Sequence, residues 1–119
     1  MGKKSLKIAV ATVGNRGLED EASPYFGKTK TFTIVTVTNG EIEDVKILQN
    51  PAATYEQGAG PVAVQLLAKE GVNLAVGGEI GPGASTLLDQ HKIRHITAKP
   101  HTKVSEIVKK LLKEGITST

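Results

Sequence analysis

Gly77-Gly78-Glu79-Ile80-Gly81-Pro82-Gly83 places four glycines in seven residues, directly before a helix with Ser85 and Thr86 in its first turn. Backbone N–H groups at a helix start lack intrahelical acceptors, and the helix dipole is positive there. Together they make an anion site. The same loop also suits a tight strand-to-helix turn that needs positive φ. On that expectation a Cβ at Gly81 or Gly83 costs roughly 1–2 kcal/mol, and Gly83→Val lowers both stability and ligand affinity. The loop is neither a Walker motif, which needs Gly-Lys-Ser/Thr, nor a dinucleotide Gly-x-Gly-x-x-Gly.

A second group is Ser23-Pro24-Tyr25-Phe26-Gly27. It sets two of the chain's four aromatics side by side in a loop. Such residues either line a binding site or plug the end of a sheet. His91, His95 and His101 are the imidazoles. His91 and His95 straddle a helix-to-strand break and do not share a face. His101, in a loop, is the one credible ligand among them, but a solvated or capping role is the reading preferred for it. No His and carboxylate pair has metal-motif spacing. Cysteine is absent, and no Ser lies in Gly-x-Ser-x-Gly, so nucleophilic catalysis finds no support.

These groups need a scaffold. Gly60-Pro61 is followed by Ala63, Leu66-Leu67 and Val72. Gly81-Pro82 is followed, 21 residues later, by Ala84, Leu87-Leu88 and Ile93. The repeat reads as two helix-then-strand units with Pro at the first helical position, where its missing N–H is no loss. On one parallel sheet both helix starts open on the same edge, where open α/β sheets bind ligands.

Leu6–Thr12 is an apolar run suited to a central strand, and Thr31–Thr38 is β-branched. Asn39-Gly40 signals a type I′ hairpin with both residues at positive φ. Glu41–Leu48 reads as an edge strand. Long loops at 13–30 and 49–60 are the kind that carry function. Helices are expected at Pro61–Glu70, Ala84–His91 and from Val104 to Gly115, the last with Thr102 as N-cap. Strands are expected at Leu74–Val76 and Ile93–Ala98. With right-handed crossovers, this gives a three-layer α/β fold. Its five-stranded mixed sheet has order 3-2-1-4-5, with strand 2 antiparallel, a ribonuclease-H-like arrangement.

The 119 residues suit one domain, 1–119, with residues 1–5 and 115–119 frayed. Apolar residues make up 39%. The net charge is +3. Lys3, Lys4 and Lys7 give +3, residues 99–119 give +3 (five Lys against Glu106 and Glu114), and the middle is therefore −3. The basic ends read as solvated lysines rather than a nucleic-acid stripe, because no aromatics are interleaved with them. No run reaches transmembrane length and no signal-peptide core follows the lysines, so a cytoplasmic location with no membrane partner is expected.

Taken in order, several segments resemble the dinitrogenase iron-molybdenum cofactor biosynthesis family, small nitrogenase accessory factors and their stand-alone prokaryotic relatives. They are Ile8-Ala9-Val10-Ala11, Phe26-Gly27, Phe32 with Ile34-Val35, Gly58-Ala59-Gly60, Gly78-x-Ile80-Gly81-Pro82-x-Ala84, and Leu88 followed by Ile93. The resemblance spans about Lys7 to Leu112. It implies a ribonuclease-H-like fold and a non-enzymatic role in binding or carrying an iron-sulfur or iron-molybdenum cluster, held transiently, with cluster-assembly proteins as partners. Members tend to carry His before the Phe-Gly as a cluster ligand; this chain has Tyr25 there, and no Cys.

The expected site is the edge made by Tyr25, Phe26, Gly27, Gly58, Gly60, Gly78, Glu79, Gly81, Gly83 and Ser85. A regulatory module that binds a phosphorylated metabolite or a partner protein is the alternative. A metal-dependent nuclease needs clustered carboxylates, and Lys7-Ile8-Ala9-Val10-Ala11-Thr12 contains none. Cleavage of RNA or DNA with magnesium or manganese should stay at buffer level in a fluorescence assay. Activity that vanishes in Glu79→Gln would overturn that expectation.

Overall fold

Side chains of a strand alternate between faces, and the first strand, β1 (Ser5–Thr12), uses this to found two cores. Ala9 and Ala11 face one core and Leu6, Ile8 and Val10 the other. The computed structural model describes residues 5–116. The remaining strands and α-helices are β2 (Thr31–Thr38), β3 (Glu41–Gln49), α1 (Ala59–Lys69), β4 (Leu74–Gly77), α2 (Pro82–Gln90), β5 (Arg94–Thr97) and α3 (Val104–Lys113), with a short 3-10 turn at Gly17–Glu19 between β1 and β2.

The sheet order is β3-β2-β1-β4-β5. β2 runs antiparallel to β1 and β3, while β4 is parallel to β1 and β5. The expected strand order and the reversed second strand are therefore observed. Two helices, α1 and α2, cover the face with small alanines, and α3 covers the other. Asn39 and Gly40 turn the hairpin at φ 54° and 82°, as a type I′ turn requires. Beyond the turn, Val37 pairs with Ile42 but Thr36 with Asp44. The residue skipped, Glu43, makes a bulge in the exposed edge strand, a device that discourages edge pairing.

The repeat is structural. Ala63 and Ala84, Leu67 and Leu88, and Val72 and Ile93 are all buried in one core. It extends into the helix ends. Val72 N–H donates to Leu67 O at 3.1 Å, and Ile93 N–H to Leu88 O at 2.9 Å. The residues before them, Gly71 and Lys92, both take positive φ, 75° and 59°. Lys7, from β1, adds its ammonium to the carbonyl of Glu70 at 2.9 Å, where the helix dipole favours a cation.

Several boundaries differ from the sequence expectation. α1 starts two residues early, so Pro61 is its third residue rather than its first. Proline is tolerated there because the first four N–H groups have no intrahelical acceptor. Its N-cap is Gly58, at φ 78°. α2 runs Pro82–Gln90, starting two residues before the expected Ala84 and ending one before His91, with proline at the first helical position as the repeat predicts. Thr102 does not cap α3, since its hydroxyl donates to Lys99 O at 2.8 Å. Instead Asp20 O accepts the Val104 N–H at 2.9 Å. Ser5 pairs with Thr38 in the sheet. Gly115 and Ile116 donate to Leu112 O and Leu111 O, each at 3.1 Å. These three of the residues expected to fray are hydrogen-bonded to the rest of the fold; residues 1–4 and 117–119 lie outside the described residues.

Lys92 occupies a left-handed position that glycine fills without steric cost in the equivalent unit. Lys92→Gly should therefore raise stability by about 0.5–1 kcal/mol, read as a shift in urea midpoint at constant m. A lower midpoint would mean that the lysine side chain itself contributes at the helix end.

Candidate functional site

Close backbone approaches build the carboxyl edge of the central strands. The loop after β1 returns to the sheet through Ser23, whose N–H donates to Ala11 O at 2.7 Å and whose carbonyl accepts the Gly78 N–H at 3.1 Å. A Cβ on Gly78 would lie 2.6 Å from Ser23 O and 2.8 Å from Pro24 Cα. One on Gly77 would lie 3.0 Å from the Phe26 ring, and one on Gly27 3.0 Å from Gly60 N. These glycines let the loop press against β4 and the start of α1. Phe26 is buried and meets Phe32 edge-on, with centroids 5.3 Å apart at 68°. Its neighbour Tyr25 is 62% exposed. The aromatic pair thus divides the two expected roles: Phe26 plugs the sheet end and Tyr25 stands at the surface.

Upstream in the same loop, the consecutive acids Glu19, Asp20 and Glu21 split in the same way. Asp20 is fully buried. Its carboxylate accepts the N–H groups of Gly14, Arg16 and Glu21 at 3.0, 3.3 and 2.8 Å, with the Arg16 guanidinium at 3.5 Å. Glu19 and Glu21 pair outward with Lys103 and His101 at 3.2 and 3.0 Å. His101 is therefore a surface partner of a carboxylate. His95 meets Asp89 at 3.1 Å. Among the described residues, no group of three or more His, Asp or Glu could hold a metal ion.

A groove of about 560 Å³ opens at this edge, between the starts of α1 and α2. Of the expected site residues, Tyr25, Phe26, Gly27, Gly58, Gly60, Glu79, Gly81 and Gly83 line it. Gly78 and Ser85 are not on its lining: Gly78 lies under Ser23-Pro24, and Ser85 Oγ donates back to Pro82 O at 3.0 Å. Lys28 and Glu56 join the lining and were not singled out in the sequence. With Glu79, the lining's side chains carry one positive and two negative charges. Any pull on an anion must come largely from helix N–H groups, of which Gly60, Gly83 and Ala84 are on the lining.

The expected positive φ at Gly81 or Gly83 is not found. Gly81 has φ −67° as the N-cap of α2, and Gly83 is helical. A Cβ on either meets nothing within 4 Å. Gly83→Val therefore meets none of the expected left-handed strain, because Pro82 opens the helix in ordinary right-handed geometry.

The model of the family described as dinitrogenase iron-molybdenum cofactor matches residues 5–114. The chain belongs to this family. It is similar to the uncharacterized protein MJ0580 of Methanocaldococcus jannaschii, at 35% identity, over 92% of this chain and 87% of that one. Among solved structures it is similar to the apo form of the orange protein from Desulfovibrio gigas. That match has TM-score 0.82 and 28% identity, covering 91% of this chain and 88% of that one. A Thermotoga structure described as a putative NifB protein shares the fold, with TM-score 0.69 and 21% identity over 94% and 90% of the two chains. No helix among the described residues is long and apolar enough to cross a membrane.

The glycines divide into those the packing needs and those it does not. Gly78→Ala should cost roughly 1–3 kcal/mol, because its contacts are backbone that cannot swing aside. Gly83→Ala should be neutral or raise stability by up to about 1 kcal/mol through helix propensity. Thermal melts of the two variants check this, and equal melting temperatures would sink it.

Proposed function

We propose that this chain is a non-enzymatic, single-domain binding protein that holds an anionic iron-sulfur or iron-molybdenum cluster, or a precursor, reversibly in the groove. The cluster is cargo, supplied and collected by cluster-assembly proteins, in the cytoplasm. The observation that carries the reading is the convergence of two helix starts and the Tyr25–Gly27 loop on one open cavity. Family membership supports it. So does the description of the similar Desulfovibrio gigas structure as an apo form.

The groove offers N–H donors and an apolar wall to a cluster, but no built set of metal ligands among the described residues. Holding is then through hydrogen bonds and charge, and release is easy. That same feature favours one other occupant, a phosphorylated metabolite in a regulatory module, since phosphate is held at helix starts by the same groups.

Tyr25 decides between weak and firm cluster binding. An imidazole suits iron, whereas a phenol is a poorer donor at neutral pH. The ring is exposed at the groove mouth, so replacement disturbs no packing. Tyr25→His should bind a purified iron-sulfur cluster more tightly, by about tenfold or more; even an outer hydrogen-bond partner of a ligand moves metal affinity by about 10–100-fold. Anaerobic titration followed by gel filtration, with visible absorbance as readout, tests it. Equal retention by wild type and variant would remove Tyr25 from the site. Retention by neither, with protection from unfolding by phosphate compounds, would replace the carrier reading with the regulatory one.

A further inference from the structure

We propose that Lys28 is the side chain that selects an anionic ligand in the groove, an assignment that rests on the groove being the ligand site. Among the described residues it is the one cation on the lining. The other charged lining residues, Glu56 and Glu79, are exposed carboxylates. Without Lys28 the lining's side chains would carry two negative charges and no positive one. Helix dipoles alone would then have to outweigh both.

The root of Lys28 is fixed while its tip is not. On one side Phe26 is buried, and its carbonyl accepts the Thr29 N–H at 3.2 Å. On the other side Thr29 is buried, with its hydroxyl donating to Thr12 O at 2.8 Å. Between them Gly27 O accepts from Asn50 Nδ2 at 2.9 Å, and a Cβ on Gly27 would lie 3.0 Å from Gly60 N. The backbone that carries Lys28 is thus clamped to β1, to the second long loop and to α1.

The ammonium instead lies exposed, donating to the main-chain carbonyl of Glu56 at 3.3 Å. That contact is a long hydrogen bond to a neutral acceptor across the groove's edge. Lys46, Lys103 and Arg16 are each held by a carboxylate. Exchanging the neutral Glu56 carbonyl for an anion adds opposite-charge attraction to the ammonium's hydrogen bond and strengthens it. The ligand chemistry this recognises is a compact polyanion with several acceptor atoms, whether bridging sulfides of a cluster or oxygens of a phosphate.

The test compares wild type, Lys28→Met, Lys28→Arg and the outlying control Lys30→Met. Each is titrated anaerobically with a purified iron-sulfur cluster and, separately, with inorganic phosphate and ATP. Thermal melts without ligand should match across all four, because Lys28 is exposed. The cluster arm and the phosphate arm distinguish the two sources of the anion. Whichever probe the wild type binds, Lys28→Met should weaken it by about tenfold or more. Lys28→Arg should stay near wild type, and Lys30→Met should not differ from it. A wild type that binds while Lys28→Met binds equally well overturns the role of Lys28 and leaves the groove reading standing. A wild type that binds none of the probes overturns both.

Discussion

Contact between bare backbone segments at the carboxyl edge of β1 and β4 is the constraint on which this structure turns. Gly78 lies under Ser23 and Pro24, Gly77 under Phe26, and Gly27 over Gly60. Each is a place where a single Cβ would meet backbone or a buried ring. Together they bring the loop after β1 against both the end of β4 and the beginning of α1. Were that loop to lift, Phe26 would leave the core, its contact with Phe32 would be lost, and the groove would lose one wall. The apolar core and the ligand edge are therefore one mechanical unit. Stability and site geometry should respond together to changes at Gly27 and Gly78, and separately to changes at Gly81 and Gly83.

A buried hydroxyl network supports the same edge from below. Thr12 Oγ1 meets Thr31 and Thr33 hydroxyls at 2.6 and 3.0 Å, and Thr29 donates to Thr12 O. Thr31 also donates to Gly14 O. These polar atoms are satisfied, so burial costs them little and their directionality fixes where the chain leaves β1 and enters β2. Asp20 does the corresponding work for the loop between. It gathers three N–H groups, while its own carbonyl receives the first N–H of α3. The loop that presents Tyr25 is thereby tied to the helix on the opposite face of the sheet.

Much of this was legible because the signals are periodic or stereochemical. The β1 run, the Asn39-Gly40 turn and the two aliphatic repeats each have one economical reading, and together they dictate the strand order. The site was legible as a set of loops, since helix starts on parallel units must share an edge. Boundaries and individual roles were less so. Pro61 satisfies both the first and third helical positions, and sequence cannot choose between them. Thr102 has the right residue type for a cap, but a main-chain carbonyl from residue 20 reached the helix first. Asp20, Glu19 and Glu21 are adjacent and chemically alike, and only the folded loop decides which is buried. Lys28 looked like any surface lysine until the groove beside it was defined.

The repeat shows why identical local sequence need not mean identical function. Both units place Gly-Pro at a helix start, and both bury the Ala and the second Leu that follow. Gly60 has close neighbours: a Cβ on Gly27 would lie 3.0 Å from its N, and a Cβ on Gly60 itself would make an ordinary contact of 3.5 Å with Ala84 Cβ. Gly81, its counterpart, has open space around it and an unstrained φ. The difference follows from position in the sheet. The loop after β1 packs on the start of α1 through Gly27, whereas a Cβ on Gly81 or Gly83 at the start of α2 would meet nothing within 4 Å. Packing therefore gives the first glycine close neighbours and the second none, and at these ordinary contact distances it strictly requires glycine at neither. A residue that neither backbone geometry nor core packing requires to be glycine keeps the mouth of the groove clear between α1, α2 and Lys28, which is where the proposed cargo would approach the backbone.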